Sequence, residues 1–203
     1  MSVCLYDEAL IKKLKNWTDK TQINIYGPED SGRMFEVIGD NTDDKPVKLP
    51  IISLRRPGGY TISNPNKKPQ SYDGFRIRST AGDEKMVKLG VIPISISYQL
   101  DIYCRYLKEA DALSRSLIFN IINHPTLEII IPYNDINLTH NATIRVGEDV
   151  EDNSGVPEML VPGQFTRLTL AVTIDDAYLW DARPRENLSI QIDGINVEED
   201  ISK

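Results

Sequence analysis

The sequence predicts an α+β fold, a mainly antiparallel sheet with a long amphipathic helix packed on one face. Three stretches carry the prediction. From Ile92, IPISISYQLDI alternates strictly, with Ile92, Ile94, Ile96, Tyr98, Leu100 and Ile102 on one side and Pro93, Ser95, Ser97, Gln99 and Asp101 on the other. From Arg105 the spacing changes to threes and fours. From Phe165 to Asp175 alternation returns, with Leu168, Leu170, Val172 and Ile174 opposite Arg167, Thr169, Ala171 and Thr173. Period two marks a strand with one covered face, which is the habit of antiparallel sheets, and the intervening period marks a helix.

The remaining elements follow in chain order. Asp7 to Trp17 reads as an amphipathic helix with Leu10, Leu14 and Trp17 on its apolar side and Asp7 as its N-cap. Short strands are expected at QINIY from Gln22, MFEVIG from Met34 and LPIISLRR from Leu49. Residues 57–90 are dense in Gly, Pro, Asn, Ser and Lys, and form a long basic loop or arm. Two readings of it stand: a floppy insertion, or an extended hairpin that orders against a partner. The central helix runs for about 18 residues from Arg105, with Leu107, Ala110, Leu113, Leu117 and Ile121 as its stripe and Ile118 and Ile122 widening it. Pro125 stops it. LEIIIP from Leu127 and Thr143–Gly147 are the next strands, followed by an acidic loop GEDVEDNSGVPE. SIQIDGI from Ser189 is a candidate last edge strand, and 195–203 a frayed tail. The whole, 1–203, reads as a single domain.

Composition narrows the function. Hydrophobic residues are 40% of the chain and charged ones 26%, a soluble profile. No apolar run nears the roughly 20 residues that span a bilayer, so no membrane partner is expected. The N-terminus lacks the layout of a secretory signal, and the two distant cysteines, Cys4 and Cys104, suit a reducing compartment, so a cytoplasmic origin is expected. The formal charge of −7 is unevenly spread. Residues 1–140 carry 18 basic and 17 acidic side chains, whereas residues 141–203 carry 5 and 13. The split reads either as ordinary solubility or as opposite-sign surfaces that meet between neighbouring copies.

The parts of an enzyme are missing. His124 and His140 are the only histidines and have no metal-binding company; Cys104 follows a strand in an apolar setting, as a structural thiol does. There is no nucleophile elbow and no phosphate-binding loop. Asp43-Asp44, Glu148-Asp149, Glu151-Asp152 and Asp175-Asp176 lack the alternate spacing of a calcium loop. No enzymatic activity, metal or cofactor is expected. Arg55, Arg56, Lys67, Lys68, Arg76, Arg78, Lys85 and Lys88, lying among Tyr60, Tyr72 and Phe75, are candidates for a partner interface. They would also serve a cytoplasmic nucleic-acid-binding module, with stacking aromatics at hand. Glu148, Asp149, Glu151, Asp152, Asp175 and Asp176 are the acidic candidates, for an interface or a lumen.

The order of elements, with VIPISISYQLDIYCRYLKEADALSRSLIFNIINHPTLEIIIP followed by FTRLTLAVTIDDAYLWD, resembles the tail-terminator (tail completion) and neck proteins of tailed bacteriophages. The resemblance spans roughly residues 90–180 and the N-terminal helix, in pattern rather than in a diagnostic motif. It implies a structural virion protein, assembled in the bacterial host cytoplasm. Such a protein forms a ring, commonly a homohexamer, that caps the tail tube and joins it to the head-side connector or neck protein. The tail sheath is a further candidate partner, and DNA passes the lumen without specific binding. Other phage components are alternatives: a sheath-associated, head–tail joining or baseplate protein.

Overall fold

The computed structural model describes residues 2–18, 23–30, 48–63, 70–78, 84–133, 136–154 and 165–180. Helix α1 (Ser2–Thr18) comes first, then strands β1 (Asn24–Tyr26), β2 (Ile51–Arg55), β3 (Thr61–Ile62), β4 (Gln70–Arg78) and β5 (Glu84–Cys104). Helix α2 (Leu107–Asn123) leads to β6 (Thr126–Tyr133), β7 (Ile136–Asp152) and β8 (Thr166–Trp180). The fold is α+β, as expected. The strands form one sheet, antiparallel throughout except for the β1–β2 pair.

Two long strands, β5 and β7, act as rails. β8 pairs with β5 from Val91 to Cys104, and β4 pairs with β5 from Glu84 to Val91, so that Val91 has a partner in each. β7 meets the same two strands on its own side. β2 and β3 flank β5, β1 lies outside β2, and β6 lies outside β7. Alternation explains the core. Ile94, Ile96, Tyr98, Leu100 and Ile102 are buried beside Leu168, Leu170, Val172 and Ile174, beneath Tyr6, Leu10 and Leu14 of α1 and Ala110, Leu117 and Ile121 of α2. The apolar stripe of α2 is narrower than its sequence suggests, because Leu107 and Ile122 are exposed.

Four expectations are corrected. Asp7 is not an N-cap: α1 starts at Ser2, since Val3 and Tyr6 continue the Leu10–Leu14 stripe upstream, and Asp7 is buried inside the helix. Residues 57–90 are not without regular structure; β3, β4 and the start of β5 occupy much of them, with Phe75–Arg78 paired in register to Glu84–Val87. The acidic loop begins later than expected, because β7 runs on through Glu151 and Asp152, which pair with Thr169 and Leu168. The polar side of β5 is not simply solvated, as described below. The strand expected from Met34, the tail strand SIQIDGI and residues 195–203 lie outside the described residues.

Two bulges keep the alternation in phase. Asp175 and Asp176 together oppose Ser95, so the core side of β8 moves from Ile174 to Ala177. Asp176 takes up the extra length at φ 57°, a region that Asp enters more readily than most residues. In β7 the segment Gly147–Asp149 opposes Ala171 alone. A Cβ on Gly147 would sit 2.9 Å from the Ala171 Cβ, which excludes a side chain there. Gly147→Ala is therefore expected to cost about 1–3 kcal/mol in urea unfolding. Adding Ala171→Gly should recover a substantial part of that loss, and additivity of the two changes would contradict this packing.

Candidate interaction site

The exposed and the buried charges have different tasks, and the structure separates them. On the side of β5 away from the helices, Ser53, Asp101, Tyr103, Arg167 and Thr169 are all buried. Ile51 and Tyr103 form a second small core there, with Tyr26, Leu49 and Phe165 packed on it. Asp101 is at its centre with no exposed side-chain surface. Thr169 donates its hydroxyl to Oδ1 at 2.7 Å, Gln99 donates Nε2 at 3.1 Å and Arg167 donates Nε at 3.2 Å. Arg55 reaches Oδ2 with Nε at 2.9 Å and Nη2 at 2.7 Å. One carboxylate thereby ties β2, β5 and β8 together. Burial pushes its pKa up, but the hydrogen bonds from Thr169 and Gln99 and the charges of Arg167 and Arg55 outweigh burial and hold it below the usual carboxylate value. The guanidinium of Arg167 also lies 5.7 Å from the Tyr103 ring centroid.

A second buried carboxylate anchors α1. Asp7 accepts the Tyr98 hydroxyl at 2.7 Å and Arg56 Nη1 at 2.9 and 3.1 Å. Here burial wins, and the Asp7 pKa is raised despite Tyr98 and Arg56; the Tyr98 phenol is pushed well up by burial and by the Asp7 charge.

The two sets of residues expected from sequence are thus sorted. Arg55 and Arg56 are taken up by carboxylates of the same chain. Arg76 and Arg78 lie in β4 and Lys85 and Lys88 in β5, on the two sides of one hairpin, where Arg78 pairs with Glu84 and Arg76 with Met86. Lys67 and Lys68 fall outside the described residues. Asp175 and Asp176 belong to the β8 bulge. Asp175 accepts Arg145 Nε at 3.0 Å and the Ser95 hydroxyl at 3.3 Å; the Asp176 carboxylate accepts the Thr143 hydroxyl at 3.0 Å. The Asp176 carbonyl lies 2.8 Å from His140 Nε2, and burial lowers the pKa of that imidazole. Glu148, Asp149, Glu151 and Asp152 remain exposed at the far end of β7. Glu151 accepts Asn153 Nδ2, and Asp152 accepts the Ser154 amide, but no ion pair to these four is formed among the described residues.

Sequence reasoning missed the Asp101 centre because it assigned that side of β5 to solvent. Tyr103, Ile51 and Phe165 were the available signal, large apolar residues in the polar phase of their strands. Chemically the centre is a clasp: one acid accepts from side chains of three strands, and it exposes no nucleophile. The Cys104 thiol is pushed up to about 11 by burial and by Glu109. Among the described residues no group of three potential metal ligands converges, and no helix is long and apolar enough to cross a membrane. No family model and no curated protein matches the chain.

Asp101→Ala removes the one acceptor shared by Thr169, Gln99, Arg167 and Arg55, and is expected to cost about 3–5 kcal/mol in denaturant unfolding. The pH dependence has a definite sign. With a folded pKa below the unfolded one, Asp101 contributes stability that is present above the unfolded value of 3.8 and is lost as pH falls through the folded value. The stability gap between the native protein and Asp101→Asn should accordingly narrow below about pH 4. A gap that stays constant from pH 7 to pH 2 would contradict the clasp.

Proposed function

We propose that this protein is a structural virion protein of a phage tail or neck, a ring-forming tail terminator that caps the tail tube and presents its other face to the head-side connector. One observation carries the reading. The basic hairpin and the acidic ridge stand at opposite ends of the same rails. β4 crosses β7 at Leu138 and Thr139, and the ridge begins at Glu148, roughly 30 Å further along an extended strand. That distance exceeds the Debye length of about 8 Å at physiological salt, so the two ends cannot neutralise each other within a copy. A cyclic assembly uses two different complementary surfaces on every subunit. Opposite charge at opposite ends supplies such a pair and sets its register.

The same acidic ridge, where it faces a lumen, would repel phosphates and let DNA slide. Other phage components built as rings, such as head–tail joining or baseplate proteins, would use the same contacts. The nucleic-acid-binding alternative has less to draw on, since Arg55 and Arg56 are held by Asp101 and Asp7.

The test is mass by light scattering with negative-stain imaging. At low salt the native protein is expected as closed rings with a central hole. Arg76→Glu with Arg78→Glu should shift it toward monomer and leave little dependence on salt. Unchanged assembly of that variant, or a native protein that stays monomeric at low salt and high concentration, would sink the proposal.

A further inference from the structure

Two runs of strand backbone at the ends of the rails are open on one side among the described residues, and they carry opposite charge. β6 pairs with β7 only as far as Thr143, and the Pro125 carbonyl accepts the Ile144 amide. Beyond that bond the β6 side of β7 has no strand partner through Asp152. β5 pairs with β4 from Glu84 to Val91 on one side. On its other side the pairing starts at Pro93, with Ser63 and then β3, so residues 84–90 are open there.

The open side of β7 lies under an apolar flank of α2. The helix starts just beyond the Cys104 end of β5, packs on β5, β8 and β7, and ends beside Pro125. It is roughly 25 Å long, about the length of the strand from Ile144 to Asp152. Ala110, Ser114, Leu117 and Ile121 are its buried residues. At about 100° per residue in a right-handed helix, Leu107, Ile118 and Ile122 share one flank. Ile144 sends its side chain into the core and its amide to Pro125, and that sense of β7 places this flank above the open side. Val150 extends the strip. It pairs with Leu170 as Val146 pairs with Val172, so it points toward the helices and turns its backbone groups outward. Leu107 is 55% exposed, Ile122 61% and Val150 46%. Charges alone would blunt such an edge, but here the apolar strip above it is bare.

We propose that the open side of β7, from Val146 to Asp152, accepts the open side of β5, residues 84–90, of a second copy, with the Leu107–Ile122 flank of α2 covering the joint. The inference rests on the ring reading and names the contact that makes the ring. Charge selects the occupant. Lys85 and Lys88 lie on the incoming run and Arg76 and Arg78 on its hairpin partner, and they meet Glu148, Asp149, Glu151 and Asp152. Two β7 edges would instead set like charges directly across from each other. The joint is heterologous, as a ring requires. Strand addition gives it main-chain hydrogen bonds, and α2 gives it an apolar contact that salt does not screen.

Residue-resolved amide exchange on the full-length protein tests the joint, at low salt in the assembly and after dilution to the monomer. The Val146 and Val150 amides should slow at least tenfold on assembly, while Arg145, which turns its amide to β8, keeps its rate. Ile122→Ser with Val150→Ser leaves every charge in place and alters only exposed positions. That variant should need at least tenfold more protein to assemble, at every salt concentration. Rings in which Val146 and Val150 still exchange fast, or which the serine pair leaves unchanged, would overturn the joint while the ring reading stands. Protection of the two amides already in the monomer would assign the edge to a segment of the same chain, and overturn it equally. A protein that never assembles would overturn the ring reading and the joint with it.

Discussion

A single buried carboxylate constrains this fold more than any apolar contact does. Asp101 stands on the strand that every other part of the sheet is measured against, and its partners come from β2, from β8 and from β5 itself. An unpaired charge at that depth would cost several kcal/mol, so both arginines and the threonine must arrive together. A slip of two residues keeps leucines and isoleucines on the covered side with modest loss, but a carboxylate that accepts from two guanidiniums cannot follow it. The clasp therefore fixes register, while the apolar side of β5 provides most of the burial.

Register fixed at Asp101 has to be kept along rails as long as the 21 residues of β5 and the 17 of β7. Twisted strands of that length lose phase with their neighbours, and the two bulges restore it. Asp175 and Asp176 make the first, held by Ser95, Arg145 and Thr143. Gly147 makes the second, at a point where β7 must approach Ala171 closely. The acidic residues next to Gly147 are consequently displayed rather than packed. Local chain geometry and the exposed charge are in this way parts of one arrangement.

The long strand into a helix was legible because apolar spacing reports directly on which side of an element is buried. The same spacing says nothing about what covers the other side, and for that reason Asp101, Arg167 and Thr169 looked like surface. The phase change after Ile174, resuming at Ala177, was present in the sequence, but two adjacent aspartates are read first as charge and only later as a bulge. The start of α1 was hidden by Asp7, whose residue type favours caps although its carboxylate here serves Tyr98 and Arg56. Of the two expected charged surfaces, the basic one loses Arg55 and Arg56 to such partners. Among the described residues its other members, Arg76, Arg78, Lys85 and Lys88, lie on a hairpin whose pairing no local pattern announced.

The proposed function rests on polarity: a hairpin carrying Arg76, Arg78, Lys85 and Lys88 and a ridge of Glu148, Asp149, Glu151 and Asp152 on one sheet, roughly 30 Å apart along β7. Mixing two variants tests it most directly. Arg76→Glu with Arg78→Glu makes both ends acidic, and Glu148→Lys, Asp149→Lys and Glu151→Lys together make both ends basic. Measured by light scattering at low salt, each variant alone should remain small, and an equimolar mixture should assemble into alternating rings. A mixture no larger than its components, or either variant assembling alone as the native protein does, would contradict the account.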